Sequence, residues 1–153
     1  MLAVALATAC TSSGSAPAPK ATGPVDVALP SASAKPVIDA CRTLLAAIPD
    51  ELDKGVTRRP VTGDATRTAA WGDPAVTLQC GVPLPDQTAT PLVLDGLPFV
   101  TKKTAGRVLW TTSDRAVNVS LDIPTAYEEQ GYLVLTLVPV LKQLPAPAAA
   151  PGA

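Results

Sequence analysis

The stretch AAWGDPAVTLQCGVPLP, residues 69–85, decides the fold of this chain. Its central part, VTLQCGV at 76–82, alternates apolar and polar side chains at every step. Such alternation is typical of a β-strand with one face buried and the other exposed. We therefore predict a strand at 76–82, preceded by a turn at 72–74 and ended by the prolines at 83 and 85.

The apolar face of that strand carries Cys80, and a counterpart lies upstream. The segment PVIDACRTLLAAIP at 36–49 repeats apolar residues at helical spacing, and Cys41 lies on its apolar stripe. Pro36 suits the first helical position, and Pro49 cannot continue a helix, so these two residues bound the predicted helix.

If this helix packs on the sheet, both cysteines point into one interface. In an oxidising compartment we then expect a Cys41–Cys80 disulfide, which closes a loop of about 40 residues and stabilises the fold by about 4 kcal/mol. The alternative is a pair of buried free thiols that do not meet.

Further strands follow the central one. Asp95-Gly96 within PLVLDGLPFV (91–100) indicates a tight hairpin turn, and Pro98 predicts that its second arm is an edge strand. RVLWTT (107–112) and VNVSLDI (117–123) indicate a second hairpin. The polar stretch ahead of the central strand is predicted as a loop with a short strand near 56–59.

The segment YLVLTLVPVLKQL at 132–144 is mostly apolar and fits a buried helix or a strand. We favour a helix, which begins where Thr125 and Glu128 have the spacing of a capping box. The predicted fold is therefore α+β, with an N-terminal helix, an antiparallel sheet of four or five strands and a C-terminal helix. Both helices are expected to pack on one sheet face.

The N-terminal sequence MLAVALATAC predicts export to the extracytoplasmic face of the cell membrane. Residues 1–9 have the character of a signal-peptide remnant whose true start lies upstream, and the small residues before Cys10 fit a lipidation site. An apolar tail with an incidental cysteine is the alternative. By composition, residues 10–35 form a disordered tether behind the lipidated cysteine, 36–144 a single domain and 145–153 a disordered tail.

Composition disfavours several classes of function. The net charge is -1, which disfavours nucleic acid as a partner. The chain has no histidine, the commonest general base and zinc ligand, and no phosphate-binding loop or nucleophile elbow occurs in the sequence. We expect no catalytic residue, no metal and no cofactor, and a monomer whose partners are the membrane and an envelope protein or glycan.

One polar cluster is a candidate binding site. Arg58 and Arg59 precede Trp71 and Asp73, and two arginines beside a tryptophan can hold a carboxylate, a phosphate or a glycan. The structural alternative is that an arginine pairs with Asp73 and orders the loop before the central strand.

Five stretches together resemble a known family of actinobacterial lipoproteins, catalogued as domain of unknown function 3515, over residues 37–144. They are DACRTLLAAIPDEL (39–52), KGVTRRP (54–60), WGDPA (71–75), LQCGVPLP (78–85) and VLWTTSDRAVNVSLDIPTAY (108–127). The resemblance implies an exported, often lipid-anchored protein without a known activity. The family commonly has another cysteine where this chain has Thr90-Pro91, and pairing of Cys41 or Cys80 with such a cysteine would leave one thiol over. It also has a tryptophan in place of Phe99.

These observations lead us to expect a non-catalytic binding or scaffolding module at the bacterial cell envelope. Two alternatives stay open. An enzyme that acts on a cell-wall polymer with carboxylates alone requires a cleft with facing carboxylates. A small-ligand-binding lipoprotein requires a sizeable apolar pocket.

Overall fold

The computed structural model describes residues 20–31 and 33–148. Within them, two helices cover one face of a seven-stranded antiparallel sheet, and two short strands form a separate parallel pair. The fold is therefore α+β, as predicted. The predicted signal-peptide remnant, the lipidation site Cys10 and the last five residues lie outside the described part of the chain.

The elements follow one another as β1 (Val25–Asp26), α1 (Lys35–Ala47), β2 (Arg58–Arg59), β3 (Val61–Thr62), β4 (Thr68–Trp71), β5 (Val76–Val82), β6 (Leu92–Leu94), β7 (Leu97–Thr104), β8 (Arg107–Thr112), β9 (Asn118–Pro124) and α2 (Gln130–Leu141). The sheet has the strand order β2-β4-β5-β9-β8-β7-β6, and β1 pairs with β3 in parallel. The central strand β5 and the strand β8 have the bounds predicted from the sequence.

The predicted count of four or five strands is too low. The main omission is β4, whose four residues TAAW are all buried, so that neither face shows the alternation by which a strand is recognised. The strands β1, β2 and β3 have two residues each, too few for any pattern to form.

Pro98 lies on β7, which is an internal strand rather than the predicted edge. The edge is β6, which pairs with β7 through the hairpin turn at Asp95-Gly96. The ladder between β7 and β8 begins at Phe99, one residue after the proline. The missing N–H of Pro98 therefore costs no bond in that ladder, although its carbonyl accepts from Ser113 N.

The core fills the space between the helices and one sheet face. Leu78 pairs across the sheet with Leu121, which pairs in turn with Trp110, and this row is buried against the helices. From α1 and α2 the core receives Cys41, Leu44, Leu45, Leu133, Val134, Leu137, Val138 and Leu141. Burial of this apolar surface is the main stabilising contribution to the fold.

A disulfide joins α1 to β5, as predicted. Cys41 and Cys80 are both fully buried, with an S–S distance of 2.08 Å and a Cα–Cα distance of 5.6 Å. The next residue, Gly81, has a φ of +82° and interrupts the register between β5 and β9. A Cβ at this position would lie 3.0 Å from Val37 and 3.2 Å from Ser33, so glycine lets α1 begin directly against the strand.

The C-terminal helix is present, but its predicted start is wrong. It begins at Gln130, and no side chain caps its first turn. Thr125, expected in a capping box, donates its hydroxyl to the Gly106 carbonyl at 3.1 Å instead. The helix then runs through Pro139 to Leu141. Among the described residues, neither helix has the length and apolar character needed to cross a bilayer.

Residues 20–31, which the composition assigns to the tether, are hydrogen-bonded to the rest of the fold, and 25–28 lie over the outward side chains of β5; we call residues 20–31 the strap. Val25 N donates to the Pro60 carbonyl, and the Gln79 side chain donates to the Ala28 carbonyl at 2.5 Å. Val27 is buried. These tertiary bonds, which the low hydrophobicity of the segment does not reveal, order the strap.

Candidate functional site

Arg59, one of the four predicted binding residues, is engaged by the backbone. Its Nε and Nη2 donate to the Gly23 carbonyl at 3.1 and 2.8 Å, and its Nη1 donates to the Gly72 carbonyl at 2.9 Å. Gly23 belongs to the strap, and Gly72 to the turn between β4 and β5. With these donors occupied, Arg59 fastens the strap to the turn.

Trp71 and Asp73 are also held by the fold. Trp71 is fully buried, and its Nε1 donates to the Pro49 carbonyl at 3.0 Å. The Asp73 carboxylate accepts from the backbone N–H of Ala21 in the strap at 2.8 Å. The turn before β5 is thus ordered by an arginine, but through the Gly72 carbonyl, while Asp73 binds strap backbone.

Arg58 lies on the other side of the same sheet edge, with its guanidinium carbon 5.0 Å from the centre of the Trp71 ring. Burial lowers the pKa of Arg58, and the Asp50 carboxylate acts in the opposite direction. Its side chain lines a hollow of 400 Å³ beside the end of α1. The four residues therefore lie close together. Their contacts mainly connect the strap, the turn between β4 and β5, and the end of α1.

A larger hollow, of 620 Å³, lies on the sheet face without helices; we call it the sheet-face groove. Its floor comes from four adjacent strands and one wall from the segment that joins β5 to β6. It is lined by Gln79, Val82, Pro83, Pro85, Asp86, Ala89, Val100, Thr101, Lys102, Leu109, Thr111 and Ser120.

The floor of the groove is set by strand register. Gln79 lies opposite Ser120, Ser120 opposite Thr111, and Thr111 opposite Val100, so these four side chains form a row across the strands. Leu109 is two residues from Thr111 on β8 and therefore points to the same face. The floor thus combines three polar side chains, those of Gln79, Ser120 and Thr111, with the apolar Val100 and Leu109.

Two hydroxyls in this row bind each other. Thr111 Oγ1 and Ser120 Oγ are 2.9 Å apart, and both residues are more than nine-tenths buried. One hydroxyl proton makes the bond between them, and the acceptor hydroxyl keeps its own proton. This second proton is a hydrogen-bond donor at the bottom of the groove.

The wall of the groove is shaped by Asp86. Its Oδ1 accepts from the Thr88 backbone N–H at 2.9 Å and from the Thr88 hydroxyl at 2.7 Å. The hydroxyl bond, followed by the backbone bond, holds the pKa of Asp86 below its ordinary value. The carboxylate is therefore ionised at neutral pH and engaged within its own turn, beside Pro85 and Ala89, which also line the groove.

The alternative of an enzyme that uses carboxylates alone depends on where the carboxylates of the described residues lie and on their pKa values. Of the acidic residues in the described part of the chain, Asp86 alone lines the groove, whereas a separate hollow of 490 Å³ beside α2 is lined by Asp53 and Glu129. A general acid in such an enzyme needs a raised pKa. The carboxyl groups whose pKa departs clearly from its ordinary value all have it lowered; they are Asp39, Asp64 and Asp86.

The sequence contained part of the signal for this groove. The alternation within β5 and β9 assigns Gln79 and Ser120 to the outward face. It does not reveal that β8 lies beside β9 in a register that joins Thr111 to Ser120, nor that residues 83–91 rise beside that face. The alternation therefore predicts a solvent-exposed outward face, whereas Ser120 on that face is buried.

Comparison with known proteins yields a match to a protein family. A family model with the description "Protein of unknown function (DUF3515)" matches residues 1–148. No curated protein and no solved structure matches the chain. Within residues 20–31 and 33–148, three or more His, Cys, Asp or Glu side chains are nowhere grouped so that they could hold a metal ion.

Proposed function

The chain belongs to the DUF3515 family of proteins of unknown function, and from this premise we propose that it is an exported, lipid-anchored, non-catalytic module that binds a partner at the bacterial cell envelope. The lipidation signal around Cys10 supports the anchor. The Cys41–Cys80 disulfide supports an extracytoplasmic location, because such bonds persist in oxidising compartments.

The observation that carries the binding role is the sheet-face groove. Its volume of 620 Å³ falls in the range of about 300–1,000 Å³ that is usual for ligand sites. Its hydroxyl pair and its apolar side chains can recognise a partner, whereas its one acidic residue, Asp86, is engaged by Thr88. Non-catalytic binding of a partner is the function that these groups support best.

The proposed anchor keeps this groove close to the membrane. Ten residues lead from Cys10 to Lys20, where the described domain begins. Ten residues span at most about 36 Å even when fully extended. Partners of the module are therefore membrane proteins or wall components near the outer face of the membrane.

The anchor is tested with Cys10→Ala. We expect the unaltered protein to sediment with the membranes and the variant to appear in the culture medium, because only the cysteine can carry the lipid. Fractionation of cells with antibody detection measures this. Equal membrane association of the two proteins would contradict the anchor.

The binding surface is tested by photo-crosslinking in intact cells. A photoreactive residue at Leu109, on the groove floor, is compared with one at Leu135, which is exposed on α2. We expect a discrete adduct from position 109, identified by mass spectrometry, and none of that mass from position 135. The same adduct from both positions, or none from position 109, would contradict the groove as the binding surface.

A further inference from the structure

We infer that the sheet-face groove binds an extended polypeptide segment of a partner protein, about four residues long, with apolar side chains and one acidic residue. This inference rests on the proposed function, since it names the class of partner for the same groove. It follows from the strap, the size of the groove, the free hydroxyl proton and the charge of the lining residues.

The strap demonstrates that this sheet face holds an extended chain. Residues 25–28 lie over the outward side chains of β5, where the Gln79 amide donates to the Ala28 carbonyl at 2.5 Å. Val27 is 5% exposed there, so an apolar side chain of the strap is buried by the same contact. Gln79 also lines the groove, which therefore continues from the side of the strap across the sheet.

The groove has room for a short segment. Its floor spans β5, β9, β8 and β7, which amounts to three inter-strand spacings of about 4.8 Å each, or about 14 Å. An extended chain advances by about 3.3 Å per residue, so about four residues fit across the floor.

The floor also has the donor that an extended backbone requires. Only one of the two hydroxyl protons of Thr111 and Ser120 is used in their mutual bond. The remaining proton fits a main-chain carbonyl, as the Gln79 amide does for Ala28. The apolar lining residues can bury the alternate side chains of such a segment; they are Val82, Pro83, Pro85, Val100 and Leu109.

The aromatic content and the charge of the lining residues narrow the class of ligand. Sugars and nucleobases are commonly bound by stacking on aromatic side chains, and none of the described residues that line the groove is aromatic. Lys102 lines the β7 end and is exposed, while the ionised Asp86 belongs to the segment that joins β5 to β6. An acidic side chain at the Lys102 end is therefore the charged group that the groove favours.

The probe for this inference is a synthetic peptide with the strap sequence PVDVALPS, residues 24–31. It has the required chemistry, including one aspartate, and can be added to the full chain carrying Cys10→Ala. Amide chemical shifts in NMR spectra report where it binds. We expect saturable shifts at Val100, Leu109, Thr111 and Ser120, with a Kd on the order of 1 mM.

Three controls make the result specific. The peptide PVKVALPS, with lysine in place of the aspartate, should bind at least threefold more weakly because it meets Lys102. The protein variant Leu109→Asp should abolish the shifts, while Leu135→Asp on α2 should leave them unchanged. Retained amide dispersion in both variants establishes that they are folded.

Two outcomes would overturn the inference. One is the absence of saturable shifts in the groove, and the other is stronger binding of a chitin tetrasaccharide at the same residues, which would assign the groove to a glycan. Both leave the proposed function standing if the photoreactive residue at position 109 still captures a partner in cells. Shifts confined to Val61 and Thr62, which pair with the strap, are a case of the first outcome, because the peptide then only displaces the strap.

Discussion

The two faces of the sheet are covered in different ways. On one face, α1 and α2 cover the strands with interlocking apolar side chains, and the row from Leu78 through Leu121 to Trp110 is buried. On the other face, the strap is held by hydrogen bonds such as that of Arg59 to the Gly23 carbonyl, and it leaves the sheet-face groove uncovered.

This difference shows where stability and recognition lie in the molecule. A helix covers a wide stripe of sheet and leaves little room, because its side chains pack into the spaces between strand residues. A single extended chain covers a narrower track, and its main chain needs polar partners. We therefore expect substitutions on the helix-covered face to affect stability most, and those on the groove to affect binding.

The largest effect is predicted for a matched pair of leucines. Leu121→Ala should lower the free energy of unfolding by about 3 kcal/mol, because it opens a cavity in the core. Leu109→Ala, on the neighbouring strand but on the groove, should lower it by about 1 kcal/mol or less, because Leu109 is only partly buried. Urea unfolding measures both free energies. An equal decrease in the two variants would contradict the prediction that the helix-covered face contributes more to stability than the groove.

A smaller effect is predicted for the strap. Arg59→Ala removes bonds to the Gly23 and Gly72 carbonyls and should lower the free energy of unfolding by about 2 kcal/mol. Hydrogen exchange at the Val25 amide should accelerate as well, because the strap is released before the domain unfolds. Arg42→Ala, which breaks only an exposed pair with Asp39, is the control and should change neither quantity.

The smallest effect concerns pH. The Thr66 hydroxyl and backbone N–H hold the pKa of Asp64 below its ordinary value of 3.8. Because the pKa is lower in the folded state, ionised Asp64 stabilises the fold above about pH 4, and this contribution is lost as the pH falls through its folded pKa. Asp64→Ala should therefore cost less than about 1 kcal/mol at pH 7, and the difference should shrink below pH 4.

Thermal unfolding of the Asp64→Ala variant between pH 7 and pH 2.5 measures this dependence. Glu128→Ala, which removes an exposed carboxylate before α2, is the control and should match the stability of the unaltered protein at pH 7. A constant difference between Asp64→Ala and the unaltered protein down to pH 2.5 would show that the bonds to Thr66 do not favour the ionised carboxylate.

Much of the helix-covered face could be predicted from the sequence. Burial against α1 and α2 imposes a regular alternation on β5 and β9 and a helical repeat on α1. These patterns also predict that Cys41 and Cys80 face the same interface, where the structure has their disulfide. The predicted start of α2 failed because Thr125 has a tertiary partner in Gly106, which local sequence cannot show.

The other face could be predicted far less well. The strap is held by single bonds to distant residues, such as Arg59 and Gln79, and its own composition is that of a linker. Neighbouring positions in the sequence indicate the cluster of Arg58, Arg59, Trp71 and Asp73, but its hydrogen bonds go mostly to backbone groups whose positions depend on tertiary structure. The groove arises from strand register and a long connection, which periodicity does not encode.

The order of strap and disulfide along the chain determines how the molecule bears mechanical load. A pull on the chain ahead of Lys20 reaches the bonds of Ala21, Gly23 and Val25 one after another, so the strap yields in small steps. The load then enters α1 and passes at Cys41 through a covalent link into β5 at the centre of the sheet. Tension can thus detach the strap from the sheet, while the Cys41–Cys80 disulfide keeps α1 attached to β5.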